Sequence, residues 1–376
     1  MSANDSFHMT RIRRIFGGIS VLGILTIGNA HAAEGFVVRY NIAGSLGGEI
    51  FAAPDSPGVI VGTAYTYVDI KGISGNNGKD LKTATPAGTV ALPSPIPAAL
   101  YPTYKANVVN IEANGTLQMA NLVAVYTTKR KIYDGRMNFG INIPYGVKKQ
   151  TFVGSASTPA LNWPNSAVPS AAVKAAVAKQ FDASYQSALA AQSDPPTGKV
   201  DGLGDVELWG GWFRQTEKFK WLVGGSVILP TGQYNTSGLT IGNGNFYTFR
   251  PVVQVVYQPQ PKIALATKVT FGFNTKNKDN DLRSGNWGAI EAAAGYMTKL
   301  GVIGAHAVYV KQFQDDKNNP WGASRFESTN LGAFFTTRIP GMKDAGITAQ
   351  YMHTIDSKNA KYGDFYQIRF VKRFSS

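Results

Sequence analysis

Residues 363–374, GDFYQIRFVKRF, alternate two chemistries with a period of two. Tyr366, Ile368, Phe370 and Phe374 fall on one side, and Gln367, Arg369 and Arg373 on the other. Period two is the side-chain repeat of a strand. An apolar, aromatic face outside and a charged face inside is what a strand of a membrane barrel requires. An amphipathic strand of a soluble sheet gives the same pattern, so the stretch sets two alternatives. Lys372 falls on the apolar side, near enough to the strand end for its ammonium to reach the head-groups.

The N-terminus narrows the choice. Arg11, Arg13 and Arg14 precede the apolar run 15–28, and Ala30-His31-Ala32 follows. That is the order of a secretory signal, with Ala30 and Ala32 flanking the cleavage site and Ala33 as the first mature residue. The apolar run is too short to span a bilayer comfortably, and no other segment approaches the roughly 20 apolar residues of a membrane helix. An exported chain without helical spans is either released or closes into a barrel.

Composition removes other classes. The chain has 376 residues and no Cys, which excludes disulfide scaffolds, thiol catalysis and Cys-based zinc sites. The net charge of +14 is spread along the chain, without a Lys/Arg cluster of the nucleic-acid-binding kind. The excess reads as pore lining or as a surface facing lipopolysaccharide.

Turn and loop lengths give the architecture. Strands are expected over 58–70, 104–128, 136–144, 204–213, 219–229, 245–257, 263–273, 286–297, 302–313, 324–337, 346–355 and 363–374. Short turns alternate with longer polar loops, the rhythm of a bacterial barrel. The expected fold is all-β, a transmembrane antiparallel barrel of about 12 strands. Fourteen is the alternative, if Asn114-Gly115 is a hairpin turn rather than a bulge in one long strand and the segment at 36–42 joins the wall. Residues 33–57 carry a short strand candidate at 36–42 and read as a periplasmic or plug-like segment ahead of the barrel at 58–376. The stretch 145–203 reads as one long extracellular loop. It contains an Ala-rich helix over 167–192, with Val173, Val177 and Phe181 at helical spacing.

Alternation proposes a lumen. Glu207, Arg250, Lys268, Glu291, His306 and Arg369 each lie on the polar side of their strands. Mixed charges inside a barrel pair and brace the wall, or they select what passes. Tyr, Trp and Phe near strand ends are expected to form interfacial girdles. Catalytic signals are missing: the mature chain has two His, His306 and His353, and no Ser in G-x-S-x-G. Asp279, Asp281, Asp315 and Asp316 lie in loops without the EF-hand pattern. No catalytic residue, metal or cofactor is expected.

Several short motifs stand in a defined order. They are Gly202-Leu203-Gly204-Asp205, then Leu229-Pro230-Thr231-Gly232-Gln233-Tyr234, then Gly242-Asn243-Gly244 with Phe249-Arg250-Pro251 downstream. Pro54-x-x-Pro57-Gly58 precedes them, and Gln312-x-x-Asp315 and the closing strand follow. In that order they resemble the meta-pathway phenol-degradation family of outer-membrane proteins, over nearly the whole mature chain. That family is similar to barrels that admit fatty acids and aromatic hydrocarbons. The resemblance implies a Gram-negative outer-membrane channel for diffusive uptake of small hydrophobic or aromatic compounds. The implied partners are outer-membrane lipid and lipopolysaccharide, the solute, and the barrel-assembly machinery that reads a C-terminal aromatic; nucleic acid is not among them. The rival expectations are a non-transporting surface barrel that presents loops for adhesion, and an outer-membrane lipid-modifying enzyme.

Overall fold

Each strand's alternation is satisfied by a sheet that closes on itself. The computed structural model describes residues 6–8, 24–26, 38–41, 43–51, 56–92, 96–165, 170–193, 197–235, 238–318, 325–342 and 344–375. Twelve strands form the wall: β1 (Gly58–Ile73), β2 (Asn107–Ile132), β3 (Gly135–Ser155), β4 (Glu207–Gln215), β5 (Phe219–Ile228), β6 (Thr248–Gln260), β7 (Ile263–Asn274), β8 (Trp287–Met297), β9 (Val302–Gln312), β10 (Glu327–Arg338), β11 (Ala345–Lys358) and β12 (Lys361–Ser375). Each pairs antiparallel with its sequence neighbour, and β12 returns to β1 in a register running from Lys361 opposite Ile73 to Ser375 opposite Gly58. Closure leaves the wall no free edge, as a hydrocarbon surround demands. No helix among the described residues is long and apolar enough to cross a membrane.

The two faces separate as the sequence predicts. Leu122, Phe139, Ile143, Phe249, Ile290 and Tyr366 are exposed on the outside, whereas their neighbours Asn121, Asn138, Asn142, Arg250, Glu291 and Gln367 are buried within. Aromatic groups mark both rims. Phe219 stacks on Trp221 and Tyr257 at 5.9 and 4.9 Å near the short turns, and Tyr366 lies 6.2 and 5.2 Å from Tyr67 and Tyr351 toward the long loops. Amphipathic rings at the two interfaces hold a barrel at its depth.

Asn114-Gly115 interrupts nothing. β2 runs as one strand of 26 residues, and Asn114 and Gly115 keep register with Thr151 and Gln150 on β3. Gly115 has φ of +154°, and a side chain there would strike the backbone of Lys149. The reversal comes later, at Tyr133 and Asp134, whose φ values of 48° and 61° suit a two-residue hairpin turn.

The expected loop 145–203 requires correction. β3 continues through Pro144 to Ser155, and a short strand, Gly198–Leu203, pairs back onto it from Tyr145 to Gln150. Pro144 looks like a strand terminus because it has no N–H to give. Its carbonyl accepts from Gly204, so its nitrogen faces the same edge. There β4 stops at Glu207 opposite Asn142 and Gly198–Leu203 has yet to begin, so the missing donor costs the wall nothing. β2 and β3 are roughly twice the length needed to cross a bilayer and rise past the long-loop rim as an arm. Lys82–Thr85 pairs with its edge. The helix α1 (Ala171–Ser193) packs beside it, with the Tyr185 hydroxyl accepting from the Asn107 amide of β2 at 3.2 Å and the Phe181 ring 4.9 Å from Tyr104.

The strand expected at 36–42 is not formed by residues 38–41; residues 36, 37 and 42 lie outside the described residues. The expected cleavage residues Ala30, Ala32 and Ala33 also lie outside them. Two short N-terminal strands, Ser6–His8 and Ile24–Thr26, pair with one another, and the second lies against β3 and β4.

Candidate functional site

The inward charges meet a piece of the same chain. Residues 38–41 and 43–51 run down the lumen, buried throughout, and end in a 3-10 turn, Gly48–Phe51. The segment carries Gly44, Gly47 and Gly48 and has no strand or helix period of its own. Side chains from the wall take up its backbone. Arg250 donates to the Arg39 carbonyl at 3.2 Å, Gln350 to those of Ala43 and Gly44 at 3.0 and 3.2 Å, Arg369 to that of Ser45 at 2.8 Å, and Lys220 to that of Ile50 at 2.7 Å. The Gly48 N–H donates to Thr336 at 3.0 Å. A buried backbone must find such partners or lose the stability of its hydrogen bonds.

Three ionic anchors fix the segment from top to bottom. At the long-loop end the Arg39 guanidinium donates to Asp205 at 2.9 Å and lies 3.8 Å over the Phe246 ring. Asp205 also accepts from the backbone of Gly232 and Asn243 at 2.8 and 3.0 Å. Midway, Glu291 accepts from the Tyr40 hydroxyl at 2.5 Å, from the Ser45 N–H at 2.7 Å and from Lys268 at 2.9 Å. Lower down, Arg369 and Glu49 form a pair at 2.7 Å. Burying charge is costly unless partners fill the hydrogen-bonding positions, as they do around Asp205 and Glu291. Burial pushes Arg39 down to about 10, although Asp205 opposes the shift. Burial raises the Tyr40 hydroxyl, with the Glu291 charge adding to it. Burial also raises the Glu49 carboxyl against the pull of Arg369, and the Asp205 carboxyl against that of Arg39.

All six residues proposed for the luminal face point inward. Glu207 and Arg250 pair directly, with Ser226 accepting from the Arg250 Nε at 3.1 Å. Lys268 and Glu291 are register partners on β7 and β8. Arg369 braces the segment. His306 packs edge-on to Phe334 at 5.8 Å, its Nε2 3.3 Å from the Tyr351 carbonyl oxygen. Sequence reasoning missed Arg39, Glu49, Asp205 and Lys220. Charges in a Gly- and Ala-rich stretch ahead of a barrel were the available signal for the first two, and Asp205 closes a motif singled out for its order alone.

Around the lower end of the segment the inner wall is apolar. Ala64, Val123, Val125, Trp209, Phe213 and Leu222 share one buried cluster with Leu46, Ile50 and Phe51 of the segment. On the outer face, a groove of about 550 Å³ crosses β12, β1, β2 and β3, with Tyr65, Leu122, Tyr145 and Ile368 on its sides and Pro144 in its lining. The loop carboxylates are each engaged. Asp315 pairs with Arg325 at 2.8 Å, Asp316 accepts from Gly285 and Gln312 at 2.8 Å, Asp281 pairs with Lys276 at 2.6 Å, and Asp279 accepts from Asn245 at 3.3 Å. Among the described residues, no group of three or more potential ligands is placed to hold a metal ion.

The chain is similar to solved structures. An outer membrane channel from Pseudomonas putida F1 is 12% identical, with a TM-score of 0.58 over 85% of this chain and 96% of that one. The Pseudomonas putida toluene transporter TodX is 10% identical, with a TM-score of 0.35 over 99% of this chain and 98% of that one. A Pseudomonas aeruginosa FadL homologue is 11% identical, with a TM-score of 0.41 over 98% and 99% of the two chains. No curated protein matches the chain in sequence. A family model does match, from residue 100 to residue 370 and so across eleven of the twelve wall strands, and the chain belongs to that family, described as "Putative MetA-pathway of phenol degradation".

Proposed function

We propose that the chain is a Gram-negative outer-membrane channel that admits small hydrophobic or aromatic compounds by diffusion. The observation that carries this reading is the apolar belt on the inner wall, where Val123, Val125, Trp209, Phe213 and Leu222 face the lumen. An aqueous pore keeps a polar interior. A narrow apolar lining lowers the cost of dehydrating an apolar solute and gives ions nothing in return. The family description, with its reference to phenol degradation, supports the same solute class.

In this reading residues 38–51 narrow the passage, and the six inward residues act chiefly by holding that segment and bracing the wall. The leader is removed after Ala32. The outer face meets lipid, the long loops meet lipopolysaccharide, and Phe374 near the end of β12 serves the assembly machinery. A sideways exit through the wall is the second reading. The break beside Pro144, under the outer groove, favours it.

The test uses intact Gram-negative cells, because their lipopolysaccharide leaflet is the barrier that plain phospholipid liposomes lack. Cells expressing the protein should take up labelled toluene and phenol faster than empty-vector cells, and the purified protein should give conductance steps in planar bilayers. Unchanged uptake together with silent bilayers would overturn the reading.

A further inference from the structure

The luminal face of β2, β3 and β4 carries polar groups that the protein leaves unmet. Asn121 and Asn142 are buried at 3% and 0% exposure, and neither the Oδ1 nor the Nδ2 of either has a hydrogen-bond partner. The Trp209 Nε1 is likewise buried and unpartnered. Register places the three together. Asn121 is opposite Pro144 and Asn142 opposite Val123, which makes the two amides diagonal neighbours on one face, about 7–8 Å apart. Trp209 is opposite Gly140, and a Cβ on Gly140 would collide with the indole, so the ring lies flat over that glycine beside Asn142.

Elsewhere on this face the protein supplies its own partner. Asn138, two residues beyond Gly140, accepts from the Thr127 hydroxyl at 2.5 Å. Buried unmet groups occur on other strands too, Gln254 Oε1 and Trp287 Nε1 among them, but here three residues that carry them adjoin. A buried amide without a partner bears its full desolvation penalty, and such orphans in a native fold call for a reason, a solute or solvent among them. Ala64 and Val123 supply apolar surface around the patch, in the same cluster as Trp209.

We infer that Asn121, Asn142 and Trp209 form a binding site on the passage for a neutral hydroxylated aromatic ring. The indole face and its aliphatic surround take the ring. A phenolic hydroxyl is both donor and acceptor and meets an amide oxygen and an amide N–H together. Neutrality follows from the neighbours. Glu207 is the register partner of Asn142 and repels a carboxylate, and the nearby Arg250 is already paired with Glu207. The inference deepens the channel reading and rests on the lumen being the route.

The experiment compares 4-methylphenol with 1,4-dimethylbenzene, which differ by a hydroxyl in place of a methyl. Because the N-terminal strand Ile24–Thr26 lies against β3 and β4 in the full chain, the protein is recovered from outer membranes. Equilibrium dialysis of the detergent-solubilised barrel reads binding, and a retained heat-modifiable gel shift certifies the fold of each variant. Wild type should bind the phenol several-fold tighter than the hydrocarbon. Asn121→Val and Asn142→Val should each weaken phenol binding about 5- to 10-fold, the loss expected for a hydrogen bond of about 1 kcal/mol, and leave the hydrocarbon unchanged. Trp209→Leu should weaken both. Absence of a hydroxyl preference in wild type, or its survival in the Asn121→Val/Asn142→Val double variant, overturns the site. Conductance and cellular uptake report on the channel separately, so a channel that conducts without the preference fails only this inference.

Discussion

Arg39 and Asp205 meet at 2.9 Å although 166 positions separate them, and both side chains are sealed from solvent. The pair joins the luminal segment to the short stretch ahead of β4, where the wall changes pairing partners. Removing one partner of a buried pair leaves the other charge uncompensated, at a cost of about 3–5 kcal/mol. Asp205→Ala is therefore expected to free the long-loop end of the segment and raise single-channel conductance in planar bilayers. Conductance equal to wild type would show that the segment does not limit the passage.

The Glu291 anchor predicts non-additivity. Its carboxylate accepts from Tyr40, Ser45 and Lys268 at once. Tyr40→Phe should cost about 1.5–3 kcal/mol, the range for a hydrogen bond to a charged group. Glu291→Gln should cost more, because Lys268 then remains buried without its counter-charge. In the double variant the Tyr40→Phe penalty should largely vanish. Midpoints of heat-induced gel mobility shifts measure all three, and simple additivity of the two losses would separate Tyr40 from Glu291 energetically.

Most of this barrel was legible because its information has a period of two. β12 shows it best. Its outward Tyr366 and Ile368 and inward Gln367 and Arg369 lie where alternation puts them, because a closed sheet between lipid and lumen enforces that pattern on every strand. The luminal segment was not legible in the same way. Its backbone is satisfied by Gln350, Arg369 and Lys220 from distant strands, so no local repeat records its shape. Pro144 misled for a different reason. Proline ends a strand when its N–H is needed, and only the neighbouring strands reveal that β4 has already left that edge.

Glu49 gives a pH dependence with a definite sign. Its carboxyl is raised in the folded barrel by burial, so between the ordinary carboxyl value and the raised one the folded state binds more protons than the unfolded. Stability falls with rising pH wherever the folded state binds more protons. The Glu49 contribution is thus complete below the ordinary value and is lost as pH climbs through the raised one. Hydrogen exchange of residues 45–51, corrected for its intrinsic rate, should be slower at pH 5 than at pH 7.5, and Glu49→Gln should abolish the difference. A segment better protected at pH 7.5 would reverse the sign and mark the Arg369 pair as the stronger influence.

The seam between β12 and β1 can be fixed covalently, since the chain has no Cys of its own. Thr66 and Gln367 are register partners, and the Gln367 amide donates to the Thr66 hydroxyl at 2.8 Å on the luminal side. Their Cβ atoms point the same way, as a disulfide requires. Thr66→Cys with Gln367→Cys should oxidise to a bridge joining the first and last wall strands. The boiled, oxidised chain then becomes a large loop and should migrate faster than its reduced form. Thr66→Cys with Ile368→Cys is the control, because a shift of one residue sends the second thiol to the lipid face. Bridging in the control but not in the first pair would place the seam one residue out of register and exchange the faces of β12, turning Arg369 away from Glu49 and the luminal segment.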